Sequence, residues 1–306
     1  MSRVDEGAAR RQSRLSRHNI LERVAQAVAL VESLPSGAVA TRNLSDHLAR
    51  FVPADFWITL AVVLDRLPVP SEVRRLNRAF QLDGVEGVVR NLRSRAAVRG
   101  DRRPRIITDV DIVDVSGIAG GSAHGSEFAR RLVVGWIAGG ALPVLWTDDG
   151  RGMRLLTPLE ADALGVPRAA AGSGEIVVPY RSRYVLAGGV TRPRSAERII
   201  ALGLYSENQS GSVGYGLAPL LDPPPIEDRH DGEDRFSWHL AAQRSLERLA
   251  VVGAPEREYR GWVQMLAAVG LTGPRIASFD VPSDGEDWSA LARVVAAHLG
   301  LAVGTP

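Results

Sequence analysis

The sequence predicts an α/β protein in which a doubly wound parallel sheet follows an all-helical extension. Three observations carry this. An apolar run rich in β-branched residues, Arg105 to Val115, leads through a glycine-rich loop into a helical pattern and a second apolar strand. Strand-like and helix-like segments then alternate as far as Asp280. Residues 19–99, in contrast, show only helical periodicity. Together they describe a Rossmann-like lobe with a helical preamble.

The Arg-rich start, residues 1–18, reads as a disordered basic tail without the apolar region and cleavage site of a secretory signal. From Asn19, Ile20, Leu21, Val24, Val28 and Val31 recur at helical spacing up to Pro35. A shorter helix spans about Arg42 to Phe51. Pro53 then occupies a first-turn position ahead of Phe56, Trp57, Leu60, Val63 and Leu64. Ser71 opens a further helix with Val73, Leu76 and Phe80, and Asp83 starts a fifth through Val85, Val88, Val89 and Leu92. The charged stretch Arg99 to Pro104 closes this extension.

The second domain, expected over 104–282, begins with the strand Ile107 to Val115. The loop Ser116 to Gly125 contains four glycines, and its only bulky side chains are Ile118 and His124. Ser126 and Glu127 open a helix with Phe128, Leu132, Val133, Trp136 and Ile137 on one face. Gly139-Gly140 ends it, and Ala141 to Trp146 is the next strand. Glycines at this point either form a tight strand-to-helix turn or let a ligand phosphate approach the helix N-terminus. Their spacing matches neither the dinucleotide fingerprint nor a P-loop.

Asp148 and Asp149 follow in a glycine-flanked turn that reads as solvated rather than metal-binding. Strands are expected at Ile176–Pro179, Tyr184–Leu186, from Gly211, at Leu249–Val252 and at Arg275–Asp280. Helices are expected from Thr157, over Ser195–Leu204, from Phe236, over Pro255–Val269 and over Trp288–Leu299. The acidic, proline-rich stretch 222–234 reads as a mobile loop, and 283–306 as a linker with one helix.

All 37 basic residues are arginine, and the net charge is +2. The charge is divided: residues 1–107 hold 19 Arg against 11 acids, and 108–306 hold 18 against 24. A basic front half beside an acidic back half suits docking of one on the other, or attraction to anionic headgroups. Cysteine is absent, which excludes disulfide and thiolate chemistry and suits a reducing compartment. No apolar window is long enough to span a bilayer. The expected location is cytoplasmic, with peripheral membrane contact at most, and nucleic acid is not an expected partner.

Taken in order, several segments resemble the N-terminal half of bacterial family-4-like glycosyltransferases of the two-Rossmann (GT-B) type, including the helical preamble of long actinobacterial members. The similar segments are Trp57 to Leu60 with Arg74 to Gly84, Ile107 to Val115, Pro179 to Leu186, Ala201 to Asn208, Val213 to Leu220, Arg248 to Gly253 and Glu258 to Trp262. The resemblance implies a single GT-B lobe that holds the acceptor for retaining sugar transfer from a nucleotide-sugar co-substrate, with no other cofactor and no metal. It implies a glycan or lipid-linked acceptor. It also implies a C-terminal donor domain, on this or another polypeptide, because the family's pair of glutamates eight apart does not occur in this sequence.

Where the family usually has His or Tyr followed by Asp, this sequence has Tyr215-Gly216. On these grounds His124 and Tyr215 are the expected catalytic residues. Gly120, Gly121 and Gly125, with Arg181 and Arg183, are the expected acceptor- or phosphate-binding residues. Two other classes stay open. One is a non-catalytic binding module. The other is an S-adenosylmethionine-dependent methyltransferase, for which Asp148 supplies an acid closing the second strand.

Overall fold

The computed structural model describes residues 16–35, 37–95, 104–119, 126–168, 175–190, 192–214, 232–253, 256–268, 273–282 and 288–302. The chain divides into two units, Met1–Pro104 and Arg105–Pro306.

In the first unit, α1 (Arg17–Val31), α2 (Leu44–Leu48), α3 (Pro53–Leu64) and α4 (Pro70–Arg93) pack as a helical assembly. The Ser16 hydroxyl caps α1 by accepting the Asn19 N–H at 3.1 Å. Helices α3 and α4 start alike. Each opens on a proline, whose missing N–H costs nothing in a first turn. Each also has an acid that accepts the N–H just before that proline: Asp55 takes Val52 at 2.8 Å, and Glu72 takes Val69 at 3.1 Å.

The expected one-sided stripe on α3 is in fact a helix buried almost all round, with Ile58, Thr59 and Ala61 enclosed alongside Phe56, Trp57 and Leu60. That is the pattern of a central helix. Thr59 donates its hydroxyl to the Asp55 carbonyl at 2.8 Å and so carries no unpaired donor into the core. Within α4 the backbone breaks at Gly84, with φ 57° and ψ −144°, a conformation a side chain disfavours. The two arms of α4 correspond to the helices expected from Ser71 and from Asp83.

Among the described residues the second unit holds nine strands: β1 (Arg105–Ile107), β2 (Asp111–Asp114), β3 (Leu142–Trp146), β4 (Met153–Leu155), β5 (Val177–Pro179), β6 (Arg183–Leu186), β7 (Gln209–Gly214), β8 (Arg248–Val252) and β9 (Arg275–Phe279). They form one sheet in the order β1-β5-β4-β3-β2-β6-β7-β8-β9. Every neighbouring pair is parallel except those made by β4. Its helices are α5 (Ser116–Ala119), α6 (Ser126–Ala138), α7 (Pro158–Leu164), α8 (Pro193–Tyr205), α9 (Gly232–Arg244), α10 (Glu256–Ala268) and α11 (Trp288–Leu299).

Alternation along the strands sends side chains to both faces. Val113, Val185, Val213, Ala250 and Val252 pack with Leu132 and Trp136 of α6 and with Val295 and Leu299 of α11. Leu249 and Val251 point the other way, onto Trp262 of α10. Ser212 also faces that side and receives the Gln243 amide of α9 at 2.9 Å. Helices therefore cover both faces of a mostly parallel sheet, an α/β architecture compatible with a Rossmann-like arrangement.

Three expectations need correction. The run Ile107–Val115 is not one strand, because Asp109 turns it with φ 57°. Its second part, β2, is the central strand between β3 and β6. Arg181 makes the matching turn between β5 and β6 at φ 50°, and the two segments stay in register across it, from Arg105 opposite Val177 to Asp114 opposite Leu186.

Met153–Leu155, unassigned from the sequence, forms β4 antiparallel to β3. Finally, the helix expected over Trp288–Leu299, placed beyond the second domain, forms as α11 and belongs to that domain's core. Trp136 donates its indole N–H to the Ala292 carbonyl at 2.8 Å. Small residues on β7 and β8 make room for this helix: a Cβ on Gly211 would lie 2.9 Å from Leu299. Residues 1–15 and 215–231, including most of the acidic stretch, lie outside the described residues.

Candidate functional site

At the carboxyl end of the central strand, Asp114 is fully buried. Its carboxylate accepts the Ser116 N–H at 3.0 Å, the Trp146 indole N–H at 2.7 Å and the Tyr184 hydroxyl at 2.8 Å. Burial pushes the Asp114 carboxyl above its ordinary range, and the donors from Ser116, Tyr184 and Trp146 work against that shift. Burial and the adjacent carboxylate in turn push the Tyr184 phenol well up. Ser116 completes the junction by accepting the Trp146 backbone N–H at 2.8 Å. The network ties the ends of β2, β3 and β6 together and fixes where the chain leaves β2.

Above it opens a cleft of about 270 Å³, lined among others by Asp114, Trp146, Asp148, Arg154, Arg192 and Ser195. It lies where β2 has β3, its next partner along the chain, on one side and β6 on the other. Parallel α/β sheets open a crevice at that kind of position. One wall is the β3–β4 turn, the other the loop from β6 into the N-terminus of α8.

The segment leaving β2 approaches the β6–α8 wall through glycine. The Cβ of an alanine at 117 would lie 2.2 Å from the Gly189 nitrogen and 2.5 Å from the Gly188 carbonyl carbon.

The charges around the cleft differ in how far they are committed. Arg154 is held by both Glu160 oxygens at 2.6 and 2.7 Å, and that guanidinium, with the Thr157 N–H and hydroxyl, holds Glu160 at about 2. Asp149 accepts the Thr147 hydroxyl at 2.8 Å and the Arg151 N–H at 3.1 Å, so it shapes the turn. Asp148 makes no side-chain hydrogen bond and stands exposed at the cleft. Among the described residues Arg192 donates to two backbone carbonyls, Asp148 at 2.5 Å and Thr147 at 3.4 Å.

Arg181 and Arg183 are not at this cleft. They sit at the amino end of β6, at the opposite edge of the sheet, and each is paired with an acid. Arg181 meets Glu207 at 2.8 Å and lies over the Tyr180 ring, while Arg183 pairs with Asp111. Nearby, the Ser182 hydroxyl donates to the Ile107 carbonyl at 2.9 Å, and Asn208 accepts the Ser182 N–H at 2.7 Å. These residues staple the bend between β5 and β6, so their place in the fold is structural. Gly120, Gly121, His124, Gly125 and Tyr215 lie outside the described residues. Among the described residues no group of three His, Asp or Glu is placed to hold a metal ion, and no helix is long and apolar enough to cross a membrane.

Sequence reasoning missed Asp114, Arg192, Ser195 and His239. Asp114 had one legible signal, the last of three aspartates in an apolar run, just before a glycine-rich loop. His239 of α9 is buried, and its Nδ1 accepts the N–H of Val190, a residue of the cleft wall, at 3.3 Å. Burial lowers its pKa from 6.5 to about 4. The folded protein therefore keeps this ring neutral while the unfolded chain protonates it. Its contribution to stability is complete above pH 6.5 and is lost as pH falls to about 4, a drop of about 3 kcal/mol. Denaturant unfolding of wild type and His239→Phe across that pH window checks this: the slope should flatten in the variant.

No family model, curated protein or solved structure matches the chain.

Proposed function

We propose that this chain is the acceptor-binding lobe of a retaining glycosyltransferase. It holds a glycan or lipid-linked acceptor and works with a donor domain that binds the nucleotide-sugar, with peripheral contact to the inner face of a membrane. The observation that carries this reading is the cleft at the carboxyl ends of β2, β3 and β6. There Asp148, whose carboxylate makes no side-chain hydrogen bond among the described residues, lines the same cleft as Trp146 and as Arg192, whose guanidinium donates to the Asp148 backbone carbonyl. A sugar presents hydroxyls that donate and accept in close alternation, and such a lining offers acceptors and donors a few ångströms apart.

In this reading the lobe contributes position. Transfer needs one acceptor hydroxyl held against the anomeric carbon while the diphosphate departs. Asp148 accepts the hydroxyl hydrogen, Arg192 donates to a neighbouring oxygen, and the Asp114 network keeps both walls in place. His124 and Tyr215, which lie outside the described residues, remain the proposed groups at the reacting centre; in the chain they follow α5 and β7.

Saturation-transfer NMR of the full chain with a panel of free mono- and disaccharides tests this. Saccharide signals should be present for wild type and lost in Asp148→Ala. The free acid just past β3 also favours a second reading, a ribose-binding acid for S-adenosylmethionine. Micromolar binding of that cofactor by calorimetry, with silent saccharides, would replace the first reading with the second.

A further inference from the structure

We propose that the cleft contains a phosphate subsite, formed by the N-terminus of α8 with Arg192 and Ser195, and that the molecule it takes is a phosphorylated polyol or a lipid phosphate. The inference rests on the acceptor reading above and narrows its substrate class.

The first turn of α8 carries no acidic residue, and its N-cap, Arg192, makes no capping hydrogen bond through its side chain. Pro193 at the first position has no N–H to satisfy. The Ser195 and Ala196 N–H groups already bond the Arg192 carbonyl, so the positive end of this 13-residue helix reaches the cleft through its dipole and the Arg194 N–H.

The second observation is independent of the helix. Ser195 is only 4 % exposed and lines the cleft, yet its hydroxyl has no hydrogen-bond partner among the described residues. A buried hydroxyl without a partner is costly, and an anionic oxygen entering the cleft would satisfy it. A third donor is at hand in Arg192, whose guanidinium, among the described residues, rests on the Asp148 and Thr147 carbonyls. Arg154, the other cation of the cleft, is already held by Glu160.

Ser195 and the helix N-terminus supply donors on the α8 side, Arg192 reaches from there to the Asp148 carbonyl, and the Asp148 carboxylate offers acceptor oxygens. An unsubstituted anion would meet Asp148 as a like charge. A molecule with hydroxyls at one end and a phosphate at the other satisfies both walls, the hydroxyls donating to Asp148 and the phosphate accepting from Arg192, the Arg194 N–H and Ser195. Lipid phosphates share the anionic end, so the probes must separate the two sources.

The test follows backbone amide shifts of the full chain during titration with inorganic phosphate, glucose, glucose 6-phosphate and farnesyl phosphate. Glucose 6-phosphate or farnesyl phosphate is expected to shift the Arg194 and Ser195 amides at least tenfold more tightly than glucose. Whichever of the two is tighter names the source. Inorganic phosphate should move the same amides weakly.

Arg192→Gln should erase the advantage of the phosphorylated ligand. Ser195→Ala should weaken it severalfold while leaving thermal stability unchanged or raised, because it removes an unpaired buried hydroxyl. A merely structural Ser195 would leave binding alone. Equal affinity for glucose and glucose 6-phosphate, unchanged in Arg192→Gln, would overturn the phosphate subsite and leave the acceptor reading standing. Failure of all four probes to move any cleft amide would overturn both.

Discussion

Replacing Gly117 by alanine is expected to cost the second unit roughly 3 kcal/mol or more, read as a lower denaturation midpoint. The loops leaving β2 and β6 touch backbone to backbone here. A Cβ at 117 would stand 2.2 Å from one main-chain atom and 2.5 Å from another, and one at 188 would stand 2.6 Å from the Gly117 Cα. Main chain cannot swing aside as a side-chain end can, so the two strand ends must part. Because those loops bear the cleft walls, the same change should abolish ligand binding even in molecules that remain folded. Gly189 is the control: a Cβ there meets nothing within 4 Å, so Gly189→Ala should retain wild-type stability.

Glu72→Ala should lower the stability of the helical unit by about 3–5 kcal/mol, the usual cost of breaking a buried ion pair from one side. Glu72 accepts from Arg66 at 2.6 and 2.8 Å, from Arg95 at 3.2 Å and from the Val69 N–H at 3.1 Å. It thus closes the start of α4 and pairs with two guanidinium groups at once. Burial by itself pushes its pKa up, but the Arg66 guanidinium, the Val69 N–H and Arg95 prevail and hold it at about 2, against an ordinary 4.5.

A folded-state pKa below the unfolded one means that this stabilisation is complete above pH 4.5 and is lost as pH falls toward 2. The loss comes to about 3 kcal/mol. Acid unfolding followed by circular dichroism should show that slope in wild type and not in Glu72→Ala.

Much of the fold was legible because apolar spacing reports local structure. The 3.6-residue stripes of α1 and α6 and the β-branched density of β2 and β8 gave helices and strands near their observed places. What escaped depended on distant partners. β4 is three residues with Arg154 at its centre, and it is a strand because β3 presents an edge to it. The bend at Asp109 arises from pairing with the segment around Arg181, not from any local signal. Phe128, expected on the buried face of α6, is instead partly exposed and stacks on Trp288 of α11, ring centres 5.7 Å apart.

The site was less legible for the same reason. Arg181 and Arg183 attract attention as adjacent cations in a recognisable segment, but the acids that engage them, Glu207 and Asp111, come from other parts of the chain. Asp114 acquires its character from Tyr184 and Trp146, which lie 70 and 32 positions away. Ser195 has no distinguishing sequence context at all. Only its burial without a partner marks it. Asp148 was visible as an acid closing a strand, and it alone among the cleft's polar residues was weighed from sequence.

Hydrogen–deuterium exchange of the full chain, with and without a bound saccharide or sugar phosphate, tests the central claim most directly. If the carboxyl-edge cleft is the acceptor site, protection should rise in 114–119, 146–152 and 186–195 together and stay unchanged at 179–183 and 244–248. Protection confined to the amino-edge segments, with the cleft segments unaffected, would contradict the account.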